Sequence, residues 1–298
     1  MIKDIELLIP ILISIALLTL GERKIMGSIQ RRKGPNIVGI YGILQPFSDG
    51  LKSILKENIL PQNTTIYYIY APFISLIISL LLWAVIPFNI NIIIYDINYS
   101  LLLILAITSI SIYGILYGGW SSKSQWSMIG TLRATSQLIS YEISLGFILF
   151  SIITLNSSFN LIDILYNQIY IWNIIPLLPI SLLLLISILA ETNRTPFDLL
   201  EAESELVAGF LVEYSSISFL SYYLAEYSII LFFSKLFSIL FLADHFFILP
   251  LFLIIWIRAS LPRLKYDQLI YMGWMIILPH SINYYLSLFC LLWAFDIS

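Results

Sequence analysis

The sequence is poor in charge, in cysteine and in histidine, and each shortage excludes something. Only 11% of its 298 residues are charged, where an ordinary soluble domain carries about a quarter. Charge this sparse cannot cover a water-exposed surface, so most of the exterior must face lipid or other proteins. The single cysteine, Cys290, lies in an apolar run, which excludes an internal disulfide and a cysteine-ligated Fe–S or zinc site. His245 and His280 are the only histidines, and one bis-histidine haem would consume both. No redox cofactor or metal is therefore expected within the chain. The net charge of −3 offers nothing to nucleic acid. No phosphate-binding glycine loop, H-E-x-x-H or nucleophile elbow is present. Asp4 and Glu6 argue against a transit peptide, which is poor in acids.

Apolar residues make up 59% of the chain, with a mean hydropathy of +0.93. About 20 apolar residues in a helix cross the ~30 Å hydrocarbon core. The apolar stretches read as spans are Leu7–Gly21, Tyr68–Phe88, Tyr99–Trp120, Ala134–Leu155, Trp172–Ala190, Tyr214–Ser234, Phe246–Ile257 and Trp274–Phe295, of which the fourth and sixth are each interrupted by one Glu and the seventh is short. The stretch Lys235–Asp244 is apolar enough to lengthen the sixth or the seventh. All the Lys and Arg except Lys3 and Lys235 then fall in loops that follow odd-numbered spans. This asymmetry sets an orientation with both termini opposite the basic loops. The expected fold is an all-α polytopic membrane protein, residues 1–298 forming one membrane-embedded domain of about eight transmembrane helices. Gln45–Ile59 reads as an amphipathic interfacial helix, with Phe47, Leu51, Ile54, Leu55 and Ile59 on one face and Asp49, Lys52 and Lys56 on another.

Against this background a few charges stand out. A charge inside a membrane helix costs at least ~2.5–3.5 kcal/mol on insertion scales and calls for a functional reading. Glu142 and Glu226 interrupt the fourth and sixth spans, and neither has a basic residue within one turn. Each needs a partner on another helix, or water, or a proton; the bland alternative is a neutral acid that fixes helix packing. In AETNRTPFDLLEAESELVAGFLVEYSS the carboxylates Glu191, Asp198, Glu201, Glu203, Glu205 and Glu213 face a single Arg194. Carboxylates this crowded share protons and titrate as a group. Asp198, Glu201 and Glu205 are spaced i, i+3, i+7 and so line one helical face, Glu203 points elsewhere, and Glu213 opens the sixth span. Wedged between two spans, it suggests a polar cavity reaching into the membrane. In GERKIMGSIQRRKGPNIVG a positive-inside anchor explains the basic residues but leaves Glu22 unexplained. The Gly118-Gly119 pair reads as a helix end.

Five segments together resemble one family, subunit 1 of mitochondrial complex I with its bacterial and chloroplast relatives. They are GERKIMGSIQRRKGPNIVGIYGILQPFSDGLK, APF in the second span, GGWSSKSQWSMIGTLRATSQLISYEISLG, the acidic run continued by LAEY, and IRASLPRLKYDQL followed by GW. They run in the family's order from about residue 20 to residue 280. The resemblance implies a core membrane subunit of a proton-translocating NADH:ubiquinone oxidoreductase in the mitochondrial inner membrane, with the polar loops on the matrix side. The abundance of Ile, Asn, Tyr and Phe is compatible with an organelle-encoded gene. Ubiquinone would be the substrate, while neighbouring subunits would hold NADH, FMN and the Fe–S clusters. Partners would be the peripheral-arm subunits at the quinone site, adjacent membrane subunits and lipid.

Carried over residue by residue, the quinone tunnel would use Glu22, Arg23, Arg32, Asp49 and Lys52. The acidic mouth of the coupling channel would be Glu191, Arg194, Asp198, Glu201, Glu203, Glu205 and Glu213, continued by Glu142 and Glu226. Tyr214, Arg258, Arg263 and Asp267 fall in matching motifs with less defined roles. Met275 departs from the family, which often has Lys after this Trp. The alternatives are the corresponding subunit of a plastoquinone reductase or an energy-converting hydrogenase. A secondary transporter is disfavoured, because the carboxylate run occurs once and no inverted repeat is visible.

Overall fold

The computed structural model describes residues 2–61, 64–88, 97–198 and 209–295. Among them the regular structure is entirely helical. An apolar segment in lipid must pair its backbone groups within itself, and the helix does so. The helices are α1 (Ile2–Ile29), α2 (Gln45–Leu55), α3 (Tyr67–Val85), α4 (Ser100–Ser122), α5 (Gln125–Asn156), α6 (Leu161–Asn167), α7 (Leu178–Glu191), α8 (Ser216–Phe241), α9 (Ile248–Ser260) and α10 (Tyr266–Ala294). α10 contains a π-helical segment, Met272–Ile277. α3, α4, α5, α8 and α10 are each long and apolar enough to cross a membrane, while α7 and α9 are shorter apolar helices. With the 28-residue α1, the eight expected stretches each coincide with a helix.

The boundaries moved for identifiable reasons. α5 begins at Gln125 because the Ser124 side chain caps it, accepting from the Ser127 amide. α7 begins only at Leu178, with Pro179 in its first turn, where a missing N–H costs nothing. α8 absorbs the ambiguous stretch after Ser234, since Lys235 finds Asp244 at 2.5 Å across the turn that follows the helix. α2 stops at Leu55, short of Ile59. The short α6 was not anticipated; Asn160 caps it by accepting from the Ile162 amide. Gly118 and Gly119 do fall in the last turn of α4.

α8 is the centre of the bundle, with 78% of its apolar window buried, whereas α10 lies at the edge with 11%. α8 packs against α1, α3, α7 and α9 and supports α2, while α5 packs against α4, α7 and α10. Serine and threonine hydroxyls inside the helices bond back to carbonyls of the preceding turn, as Ser75 does to Pro72 and Ser144 to Tyr141. Gln137 of α5 donates to the carbonyls of Ala190 at 2.8 Å and Phe197 at 2.9 Å. It thereby pins both ends of the acidic turn that follows α7.

Candidate functional site

Glu22 sits where α1 leaves its apolar run, yet its side chain turns inward and is only 5% exposed. Arg258, from the last turn of α9, donates to its Oε1. Arg194 lies 3.5 Å from the same oxygen. The hydroxyl of Tyr227, on α8, donates to Oε2 at 2.5 Å. Three elements distant in sequence thus close on one carboxylate.

Arg194 is shared. Its Nη2 lies 3.1 Å from Glu226 Oε1, an ion pair not aligned as a hydrogen bond. Its guanidinium stacks 4.6 Å from the centre of the Tyr227 ring. Burial opposes its charge, but Glu226, Tyr227 and Glu22 more than offset this and hold its pKa above the ordinary arginine value. Two carboxylates and two guanidiniums therefore form a charge-balanced cluster in which Glu22 and Arg194 are buried and Glu226 and Arg258 half-buried, and pairing of this kind is what makes buried ions tolerable.

Beyond Glu226 lies a cavity with about 70 Å³ of space for water, lined among others by Glu226, Glu191, Thr192, Asn193 and Tyr222. Glu191 Oε2 and Asn193 Oδ1 are buried without a hydrogen bond to the described residues. Atoms of this kind are ordinarily satisfied by water, and the cavity has room for it. Glu142, half-buried on α5, is close enough to Glu191 for their charges to interact. Arg194 thus joins Glu22 to Glu226, and Glu226 and Glu191 line one cavity.

The remaining expected residues divide. Arg23 faces away from Glu22 and pairs with Asp49 of α2 at 2.7 Å, where Gln45 also donates to Asp49. Arg32 bonds to Gln30, and both Arg32 and Lys52 are exposed. Asp198 pairs with Arg263 at 2.8 Å. It lies in irregular chain rather than in a helix, so the expected helical face does not begin with it. Glu201, Glu203 and Glu205 lie outside the described residues. Glu213 ends a short 3₁₀ turn (Gly209–Glu213), two residues before the cap of α8, and its carbonyl accepts from the Tyr68 hydroxyl. Glu213 therefore does not open that helix, because the chain makes the 3₁₀ turn first.

Sequence reasoning singled out Glu22 and Arg194 but did not pair them, and it missed Tyr227. The one available signal for Tyr227 is its place beside Glu226 in LAEY. Arg258, of less defined role in the sequence, proves a direct partner of Glu22.

The sequence profile of the NADH dehydrogenase family matches residues 2–289. The chain is 44% identical to NADH-ubiquinone oxidoreductase chain 1 of Chondrus crispus, over 99% of this chain and 97% of that one. It is 47% identical to the protein of the same name from Aedes aegypti, over 95% and 93%. A bacterial relative, an NADH-quinone oxidoreductase subunit of Paramagnetospirillum magneticum, is 42% identical over 94% and 88%.

Proposed function

The chain belongs to the NADH dehydrogenase family as a core membrane subunit of NADH:ubiquinone oxidoreductase, complex I, and from that premise we propose that its buried acids link quinone chemistry to proton movement. The other subunits of the complex are its partners. In this reading α1, α2 and α8 frame the membrane part of a ubiquinone passage. The cluster around Glu22 lies at its inner wall, and the cavity between Glu226 and Glu191 opens the path toward Glu142. Electrons would arrive from a centre in a neighbouring subunit, and NADH, FMN and Fe–S clusters would be held outside this chain.

One observation carries the proposal: Glu226 and Glu191 line the same cavity, while Arg194 ties Glu226 back to Glu22. Reduction of a quinone takes up two electrons and two protons to give a neutral quinol; protons drawn from nearby acids would leave those acids negatively charged, which changes the local field. An arginine stays protonated, so Arg194 serves as a fixed charge. Protons would pass between carboxylates and water in the cavity. A change in charge on Glu22 alters the field at Glu226 through the guanidinium they share. That effect is strong because the shared guanidinium is buried in a low-dielectric interior.

Replacing Glu142 by Gln tests the reading. Gln keeps the shape and most hydrogen-bonding capacity but removes the titrating proton. The expected outcome is normal assembly on native gels, with quinone-linked NADH turnover and membrane-potential formation reduced at least tenfold. Normal turnover and pumping in the assembled variant would remove Glu142 from the path and leave it a packing acid.

A further inference from the structure

α10 offers a surface that the chain itself does not explain. It is the least buried of the long helices. Its inner edge, with Leu269, Gly273, Ile277 and Ser281 buried, rests on the rest of the bundle. Trp274 and Trp293 are exposed toward its two ends. Nineteen residues of helix span roughly 28 Å, the thickness of a hydrocarbon core flanked by interfacial aromatics. Midway between them, on the outward side, stand His280, Asn283 and Ser287. Their spacing of three and four residues puts them on one stripe.

These groups differ in what they need. Ser287 bonds back to the Tyr284 carbonyl at 2.9 Å. Ser109 on the outer face of α4 does the same with Ala106, and its outward neighbours Leu102, Ile110 and Leu116 are apolar. That face of α4 suits lipid. His280 and Asn283 are exposed and make no hydrogen bond to any described residue. At mid-bilayer depth neither water nor a lipid headgroup reaches them, and an unsatisfied polar group there is costly. Ionisable side chains in spans almost always face protein or a water-filled cavity. The imidazole and the amide each bring an N–H donor, which an oxygen acceptor on a covering group would satisfy.

We infer that the His280–Asn283 stripe of α10 is an interface covered by a membrane-spanning helix of a neighbouring subunit of the complex, which presents a carboxylate or amide oxygen at mid-bilayer depth. The inference rests on membership of a multi-subunit membrane complex and is independent of the proton path. Interhelical hydrogen bonds between polar side chains are a recognised glue between membrane helices, and here they also select the register.

A photo-reactive residue at position 286, on the same outer side, tests it in the intact complex in its native membrane. The expected result is a cross-link to one other membrane subunit, mapped by mass spectrometry to a spanning helix with an Asp, Glu, Asn or Gln. The double substitution His280→Leu with Asn283→Leu makes the face more apolar and so does not hinder insertion. It is expected to lower that cross-link at least fivefold after detergent extraction. Cross-links only to phospholipid, only to a second copy of this chain, or only to a helix without an acceptor would overturn the inference. So would an unchanged yield in the double variant. Quinone-linked turnover is read separately, so failure of the proton path and failure of this interface give different results.

Discussion

Glu22 shows how a residue that looks out of place at the end of a span becomes its most connected side chain. Arg258, Arg194 and Tyr227 converge on it from three separate elements. A buried pair is weak evidence for stability as a whole, but removing one partner strands the other, at a cost of about 3–5 kcal/mol. Arg258→Leu is therefore expected to reduce the amount of assembled complex and its thermal resistance. Because Arg194 still lies 3.5 Å from Glu22, the loss should fall at or below the lower end of that range. Adding Glu22→Gln removes the stranded charge and should restore most of the assembly without restoring quinone reduction. Native gels and inactivation temperatures check both variants, and a double variant no better than the single would count against a stranded charge as the cause.

At the scale of elements, close approach decides the packing of α4. A methyl group added at Gly119 would collide with Cγ2 of Thr131 on α5. One added at Gly118 would run into the Tyr222 hydroxyl of α8. That hydroxyl already donates to the Gly114 carbonyl at 3.0 Å. Gly146 of α5, by contrast, has nothing within 4 Å of an added methyl. Gly119→Ala is thus expected to push α4 from α5 and lower stability by about 1–3 kcal/mol. Gly146→Ala should be neutral, or stabilising by up to about 1 kcal/mol, since Ala is the better helix former. Parallel thermal-inactivation curves of the two variants in assembled complex would separate them. α2 illustrates a different balance. Phe47, Leu51 and Ile54 on its apolar side are about half exposed, and its tie to α1 is the largely exposed Arg23–Asp49 pair. Such pairs contribute about 0–1 kcal/mol. The end of α2 is fastened to α8, where the Ser216 hydroxyl donates to the Ser53 and Lys56 carbonyls, and its uncovered apolar side suits a position at the membrane interface.

For the whole molecule, the placement of charge implies a topology. The turns after α1, α4, α7 and α9 hold Arg31, Lys123, Arg194 and Arg263, while the connection between α6 and α7 holds no Lys or Arg. Cysteine introduced at Arg31 and at Ile169, both exposed, is expected to react with impermeant thiol reagents from opposite faces of sealed mitochondria or inside-out vesicles. Labelling of both positions from one face would break the eight-span arrangement. The same arrangement concentrates the ionic cluster toward the basic side, where Glu22, Arg194, Arg258 and the end of α7 come together. It leaves Lys235 and Asp244 to neutralise each other at the far end of α8.

The helical, membrane-embedded character of the chain was legible in the sequence because lipid imposes it. Apolar stretches long enough to cross have one backbone solution, and the few charges between them mark the turns. Glu142 and Glu226 stand out in the sequence for the same reason, since a charge in hydrocarbon is conspicuous against an apolar background. Helix ends were less legible, because Ser124 and Asn160 cap through local bonds that a hydropathy pattern does not encode. Of the acidic face expected from Asp198, Glu201 and Glu205, only Asp198 lies within the described residues, and it stands in irregular chain paired with Arg263. Which acid meets which base was settled by tertiary structure alone. Glu22 and Arg258 are far apart in the chain, and only the packing of α1, α8 and α9 brings them together. Pairing depends on distance and burial, and neither is a property of a residue's neighbours along the sequence.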